Sequence, residues 1–531
     1  MATANSFPHR FRSEPGVKSL VILCILLIGI RFIFTGIIGL MPQDAYYDFY
    51  AQHLDLSYYD HPPMIAYLLR FFTSLFGKKV FVLKLADTTV TLMTVIAFFY
   101  LARKFLGQYK AWVAMALLLS TFMISILSLI STPDVPLMLC WTLSLNFLYE
   151  AVLNKKNSYW IWAGIFTGLS FDSKYTALFL IIGLIGFLLI ARPYRKQLIS
   201  RWFLLYLICF AVTILPVVIW NARNGYASFK FQSEGRVKEG LQIDPGGFFG
   251  VVGHQSFILL PFLFVSFIYF IYRLCRKYGI RFSRIPAAQL FLLSFFIPLF
   301  LGFFSISFLY WVKLNWMMPA YITGIIWIAR FWNKKWIRYQ LIFSVVLHLL
   351  LAIEIIFYVV PVRSDDTWYG WSAFSDKVET IRKQYPEAFI FSSDDYKTSA
   401  VLNFYLNEMV YAKNVVGERA LQFDFIGTDL TKLNGRDALF IDSNPRFSDL
   451  KNENAAIPSF YYSYFENIIP LSPILIEKNG KPVRKFSVFL CKNYHNKPKA
   501  QGLKPKTGLF EMAKREGVIY RQLRFTFCVL F

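Results

Sequence analysis

The chain has little charge, few cysteines and no nucleotide-cradling glycine loop, and each shortage closes off a class of protein. Only 17% of its 531 residues are charged against 56% hydrophobic, which excludes a water-soluble fold around a single core. Acid is the scarcer sign: 32 Asp and Glu stand against 56 Lys and Arg, a formal charge of +24. In a soluble chain that excess would point to nucleic acid. Here it sits mostly in short loops between apolar runs, the positive-inside pattern of a membrane protein, and no nucleic-acid partner is expected. Six cysteines without a C-x-x-C pair exclude zinc-ribbon and thioredoxin-type motifs. Cys24, Cys140, Cys209 and Cys275 fall in or at the ends of apolar runs and read as small apolar side chains, while Cys491 and Cys528 could pair in an oxidising compartment. No G-x-x-x-x-G-K-[ST] run occurs, and no internal repeat is visible. What is abundant is aromatic: 56 Phe and 31 Tyr, with a mean hydropathy of +0.46, suit lipid-facing spans and interfacial belts.

The first apolar run, Leu20 to Leu40, follows Arg10, Arg12 and Lys18. It is nearer the ~20 residues of a span than a cleavable signal core, and no small-residue cleavage site follows. Further runs at 80–101, 111–131, 135–153, 159–172, 176–191, 202–221, 250–272, 286–305, 316–331 and 339–360 predict about eleven spans. Basic residues such as Arg103, Lys104, Lys155, Lys156, Arg273 and Arg276 then fall on the inner side, which places the N-terminus in the cytoplasm. An odd span count puts the C-terminal part outside, in the periplasm or extracellular space. The expected setting is a multi-pass protein of the cell inner (plasma) membrane, in contact with membrane lipid.

That topology gathers the chemically suggestive segments on the outer face. The first outer loop, 41–79, opens with PQDAYYDFYAQHLDLSYYDHPP, which holds Asp44, Asp48, Asp55, Asp60, His53 and His61 among five tyrosines. The others are Ser131–Asp134, Asp172–Tyr175, the loop 222–249, and Lys313–Trp316. Residues 1–362 thus read as the membrane domain. Residues 363–495 have the composition of a small α/β exoplasmic domain, with strands near 388–393, 438–442 and 486–491 and a helix over 396–406. Residues 496–531 read as a basic linker and tail.

Charges at membrane depth or at span ends are expensive and mark candidate sites. Asp44 lies at the outer boundary, where capping a helix is the plain alternative to catalysis. Asp60, before Pro62–Pro63, reads equally as a cap of the next helix or as a substrate contact. Asp134 heads the span at 135. Lys174, Arg236, Lys238 and Lys313 put positive charge on the side where topology disfavours it, which suits a bound phosphate. Two irregularly spaced histidines make a poor metal motif, so the metal is unknown and a divalent ion stays open. Carboxylates, cations and rings at the outer face of an apolar bundle are what a polyprenyl-phosphate-linked sugar needs: tail in lipid, phosphate on Lys or Arg, sugar on Tyr or Trp.

The segments AYYDFYAQHLDLSYYDHPPMIAYL, STPDVPLMLCW, GLSFDSKYTALFL and KLNWMMPAY resemble, in order, bacterial members of the GT-C superfamily. Within it the chain is similar to the family related to dolichyl-phosphate-mannose protein mannosyltransferases and the lipid A aminoarabinose transferase. Asp394-Asp395-Tyr396 and Gln422-Phe423-Asp424 also resemble that family's C-terminal region. One departure is Gln43-Asp44, where relatives often carry an acidic pair. The resemblance implies a catalytic first outer loop, a lipid-linked sugar donor and inverting transfer to a lipid, glycan or protein acceptor. Asp44 would be the catalytic base, with Tyr46, Tyr47, Tyr59, Asp60, His61, Asp134, Lys174, Arg236, Lys313, Asn315 and Trp316 binding substrate. A secondary transporter is the competing class, and it would show repeated halves and midplane charges. A binder or flippase of lipid-linked sugar would keep the cluster without catalysis.

Overall fold

A computed structural model of the chain describes residues 17–237, 245–310, 312–445, 447 and 453–496. The linker from 497, the tail with Cys528, and Lys238 lie outside the described residues.

The protein is mainly helical. α1 (Val17–Phe34) leads to α2 (Pro42–Gln52) and α3 (Met64–Phe76), which occupy the first loop. The bundle continues through α4 (Val80–Leu119), α5 (Phe122–Leu129), α6 (Asp134–Leu148), α7 (Tyr159–Phe171), α8 (Leu178–Ile190) and α9 (Arg201–Thr213). α10 (Leu215–Arg223), α11 (Ala227–Val237), α12 (Pro245–Leu259), α13 (Pro261–Tyr278), α14 (Ala287–Ile306), α15 (Met318–Ala329) and α16 (Lys334–Phe357) complete it. Large exposed apolar side chains run along α1 (Ile22, Leu26, Ile30, Ile33) and α16 (Leu349, Ile353, Ile356), as a lipid-facing surface requires.

Among the described residues five helices are long and apolar enough to cross a membrane, or up to seven if each bent pair is one span. The eleven runs read from hydropathy do not each become one full-length helix. The run at 80–101 lies within α4, which is broken at Gly107 with φ 72°, and the run at 111–131 is shared between the end of α4 and α5. The run at 250–272 is split where α12 and α13 meet at 114°, across Leu260 with φ 66° and Pro261. The runs at 159–172, 176–191 and 316–331 form shorter apolar helices of 13, 13 and 12 residues. Hydropathy reports apolar length and is blind to such breaks.

The C-terminal region carries a five-stranded sheet of order β1-β2-β5-β3, with β4 also on β5. β1 (Phe389–Phe391) pairs β2 (Ala438–Ser443) in parallel, Phe389 opposite Ala438. β3 (Phe465–Pro470), β4 (Ile474–Lys478) and β2 each pair antiparallel with β5 (Lys481–Tyr494). α17 (Trp371–Gln384) and α18 (Lys397–Leu406) cover it. The expected strands and helix are present; β3, β4 and α17 are additional. Cys491 is buried in β5 as a free thiol.

One hydrophobic cluster joins this region to the first loop. Tyr46, Phe49 and Leu69 from α2 and α3 share it with Trp371, Val401, Phe404, Phe423 and Phe486. Phe423 stacks on Phe49 at 4.5 Å, and Tyr396 lies 4.3 Å from Tyr46. The connecting chain passes so close that a Cβ on Gly39 would sit 2.6 Å from the Trp368 carbonyl oxygen. α2 is therefore a shared wall between bundle and sheet.

Candidate active site

The site starts with how α2 begins. Pro42 occupies the first turn, where its missing N–H costs nothing and its fixed φ suits a helix. Two residues on, Asp44 reaches back so that Oδ2 accepts from the Met41 N–H at 2.7 Å. The capping alternative for Asp44 is thus realised. Its Oδ1 also accepts from the Ser131 N–H at 2.8 Å, and Lys84 of α4 forms an ion pair with Oδ2. Both side chains of the pair are wholly buried. Lys84 Nζ donates in addition to the Leu129 carbonyl at 2.5 Å. One helical turn along α4, Asp87 accepts from Ser131 Oγ at 2.6 Å while its Oδ1 has no hydrogen-bond partner among the described residues. Asp44 therefore ties α2, α4 and the Ser131 segment into one buried charged knot.

Three residues beyond Ser131, Asp134 opens α6, where a carboxylate also suits the helix dipole. Lys174 Nζ donates to its Oδ1 at 2.8 Å and its Oδ2 at 3.0 Å, and Asn315 Nδ2 donates to Oδ2 at 2.5 Å. Three candidates from distant segments thus meet in one cluster. Lys174 is 7% exposed and paired, so it does not extend toward the interface as a snorkelling lysine would.

The tyrosines and Asp60 form the third part. Tyr46 and Tyr50 hydroxyls both bond Asp60 Oδ1, the former at 3.2 Å. The other carboxylate oxygen takes no side-chain hydrogen bond among the described residues, and Asp60 is 8% exposed. Burial pushes the Asp60 carboxyl above its usual range, an effect that the tyrosine bonds and the Lys313 charge partly offset. Asp60 is not the cap of α3, which has no side-chain cap; the Met64 N–H instead bonds the Asp172 carbonyl at 3.0 Å. Tyr47 feels the charges of both Asp60 and Asp134, and its ring lies 6.0 Å from that of His61. Tyr59 stacks on Phe425 at 5.3 Å and its N–H donates to Gln422 Oε1 at 2.7 Å. Lys313 is exposed, and Trp316 stacks beside Tyr310 at 6.0 Å. Arg236 has its backbone in α11, and its side chain lies outside the described residues.

The loop is held from two sides. From the bundle, Trp220 Nε1 donates to Asp55 Oδ2 at 2.8 Å and Gln232 Nε2 to the Asp60 carbonyl at 2.7 Å. From the sheet side, the Gln422 N–H donates to the Tyr46 hydroxyl at 3.3 Å. Among the described residues no three His, Cys, Asp or Glu side chains are arranged to hold a metal ion. Lys84 and Asp87 are the site residues that sequence reading missed. The signal was present: two charges three residues apart, in the otherwise uncharged run 80–101, share one face.

In this chain a many-helix apolar bundle carries the polar site in the loop after α1, covered by a C-terminal sheet. Residues 60–220 match the family model described as dolichyl-phosphate-mannose-protein mannosyltransferase. The lipid A galacturonosyltransferase RgtD of Rhizobium johnstonii is 24% identical over 329 residues, which are 59% of this chain. The chain spans just under two thirds, 66%, of that relative's length. In fold, it is similar to ArnT of Cupriavidus metallidurans bound to undecaprenyl phosphate, with a TM-score of 0.60 at 14% identity. That match covers 89% of this chain and 98% of the other, and the apo form of ArnT gives 0.59.

Proposed function

We propose that the chain transfers a sugar, with inversion, from a polyprenyl-phosphate donor to a lipid, glycan or protein acceptor at the outer face of the inner membrane. The observation that carries this reading is the meeting of Asp134, Lys174 and Asn315 beside the Asp60–tyrosine cluster, in a loop roofed by the C-terminal sheet. The fold shared with a protein solved with undecaprenyl phosphate supports the donor, and the relative named for lipid A makes lipid A the first acceptor to test.

The acceptor oxygen attacks the anomeric carbon, the bond from that carbon to the phosphate oxygen breaks, and polyprenyl phosphate leaves with the electron pair. A carboxylate takes the acceptor's proton, and a nearby cation offsets the charge growing on the leaving group. The geometry favours Asp60 as that carboxylate. One oxygen is anchored by tyrosines, the other takes no side-chain bond among the described residues, and burial tunes its basicity upward. Lys313 acts on the same carboxylate and is the cation we place nearest the phosphate. Lys174 is committed to Asp134 and would position the acid that orients the sugar. A second reading keeps Asp44 as the base, favoured by its place at the start of α2; it requires Asp44 to exchange its Lys84 partner during the cycle. No step is routed through a metal. On this reading the N-terminus lies inside and the sheet outside, which the basic residues of the loops support.

The test is transfer by purified protein from undecaprenyl-phosphate sugars to lipid A, with the Asp60→Asn variant alongside. Loss of turnover by roughly 10²–10⁴-fold in that variant, with folding intact, is expected for a general base. An Asp60→Asn protein as fast as the parent would move the base to Asp44. Donor movement across vesicles without transfer would favour the transporter or flippase class.

A further inference from the structure

Another stripe of α2 lines a separate cavity. Ala45, Asp48, Phe49 and Gln52, at helical spacing, form one side of a space of about 210 Å³ whose far side is Lys78 and the end of α18. Asp48 is 1% exposed, and its Oδ1 accepts from Gln52 Nε2 at 3.2 Å. The Asp48 carboxylate lines the cavity wall, and the charge of Lys78 acts on it from the far side. Lys78 Nζ reaches the same space while donating to the Asn403 carbonyl and Asn407 Oδ1, each at 3.2 Å, and stands 5.2 Å from the Phe404 ring centre. Glu408, also on the wall, is neutralised by Arg382 through two bonds of 2.5 Å.

The chemistry of these walls narrows the ligand. Charge is balanced, Asp48 against Lys78 and Glu408 against Arg382, so neither a phosphate nor a polyamine is favoured. The volume excludes a lipid tail or a folded peptide and suits a single ring. A buried carboxylate oxygen that accepts, an ammonium that donates and an aromatic face together match adjacent hydroxyls on a ring with one apolar face.

We propose that this cavity is a second saccharide site, taking one uncharged pyranose unit of the acceptor. The assignment to the acceptor rests on the transfer proposed above, whereas the pocket's affinity for a sugar ring stands without it. An occupant would bridge α2 to α18 and so join the reaction loop to its roof.

The experiment is saturation-transfer NMR on the full chain in lipid nanodiscs with the methyl glycosides of glucose, galactose and mannose at millimolar concentration. Asp48→Leu, Lys78→Met and Asp60→Asn are measured beside the parent, each checked for parental thermal unfolding. The expected result is transfer to at least one glycoside, reduced at least fivefold in Asp48→Leu and Lys78→Met and retained in Asp60→Asn. Should Asp48→Leu fail to fold, Lys78→Met and Gln52→Ala carry the comparison. No signal in the parent would overturn the proposal, as would a signal that survives both pocket variants and disappears in Asp60→Asn. Displacement of the glycoside by inorganic phosphate would show an anion site instead, and also overturns it. A parent that binds glycosides at this pocket yet transfers no sugar would retire the transfer reading and leave the saccharide site standing.

Discussion

The ion pair between Lys84 and Asp44 offers the sharpest test of what the first loop is for. Neither side chain has any solvent exposure, and among the described residues they bond, besides each other, only backbone groups: the Met41 and Ser131 N–H and the Leu129 carbonyl. Asp87 sits near enough to raise its electrostatic cost. Removing one partner strands a buried charge, at about 3–5 kcal/mol. Lys84→Met strands Asp44, and Asp44→Asn strands Lys84 while keeping an oxygen for the Met41 cap. Each single variant should therefore lower the apparent unfolding temperature in detergent, by roughly 5–10 °C. The double variant leaves no charge of the pair behind and should recover most of that loss, giving a coupling of several kcal/mol in the cycle. Tryptophan fluorescence melts on the four proteins supply the numbers. Single variants as stable as the parent, or a double variant as unstable as the sum, would refute the account of a buried structural pair. Turnover then divides the two readings of Asp44. A refolded double variant that transfers sugar at the parental rate makes Asp44 a holder of the Ser131 segment, and one that is folded yet inactive makes it the base.

Three further outcomes are expected. Phe423→Ala removes the ring stacked on Phe49, and should cost about 3–5 kcal/mol and make the C-terminal region more sensitive to trypsin. The Asp48 carboxyl is raised by burial from 3.8 to about 6, against the lowering effects of Lys78, Gln52, Arg70 and His53. The folded state then binds the extra proton between those values, so stability falls as pH rises through that window; chemical unfolding at pH 4 and pH 7 should show a loss, on the order of 2–3 kcal/mol, that is absent in Asp48→Asn. A cysteine placed by Lys481→Cys, at an exposed end of β5, should react in intact cells with a thiol reagent that does not cross the inner membrane, and labelling only after lysis would reverse the topology.

Much of this architecture was legible in the residues, though unevenly. Composition fixes a membrane bundle because no other solvent tolerates so much apolar surface. Span number is less legible because a break such as the one at Leu260, with its positive φ, leaves hydropathy unchanged. Asp134, Lys174 and Asn315 were each visible as polar groups at span ends. Their meeting was not, because it depends on how α6, α8 and α15 pack at the ends that carry these residues, and sequence spacing carries no such distance. Lys84 and Asp87 were hidden by averaging: two charges in the apolar run 80–101 scarcely move its mean hydropathy. The grip of Gln422 on Tyr46 and Tyr59 spans hundreds of residues and left only the Gln422-Phe423-Asp424 motif as a sign.

The distance along the chain between α2 and its roof has a consequence for biogenesis. Gln422, which closes over Tyr46, is made 376 residues later. At ~5–20 residues per second, the first loop waits roughly 20 to 75 s before its cover exists. During that interval Tyr46, Tyr47, Phe49 and Tyr50 have no sheet to pack against. Such a tyrosine-rich helix is well suited to rest at the membrane surface, where rings with one polar edge are stable. Only once the C-terminal region is made can Gln422 close over Tyr46. Maturation of the site is thereby the last step of synthesis, and a nascent chain halted before residue 422 would be inserted yet incomplete.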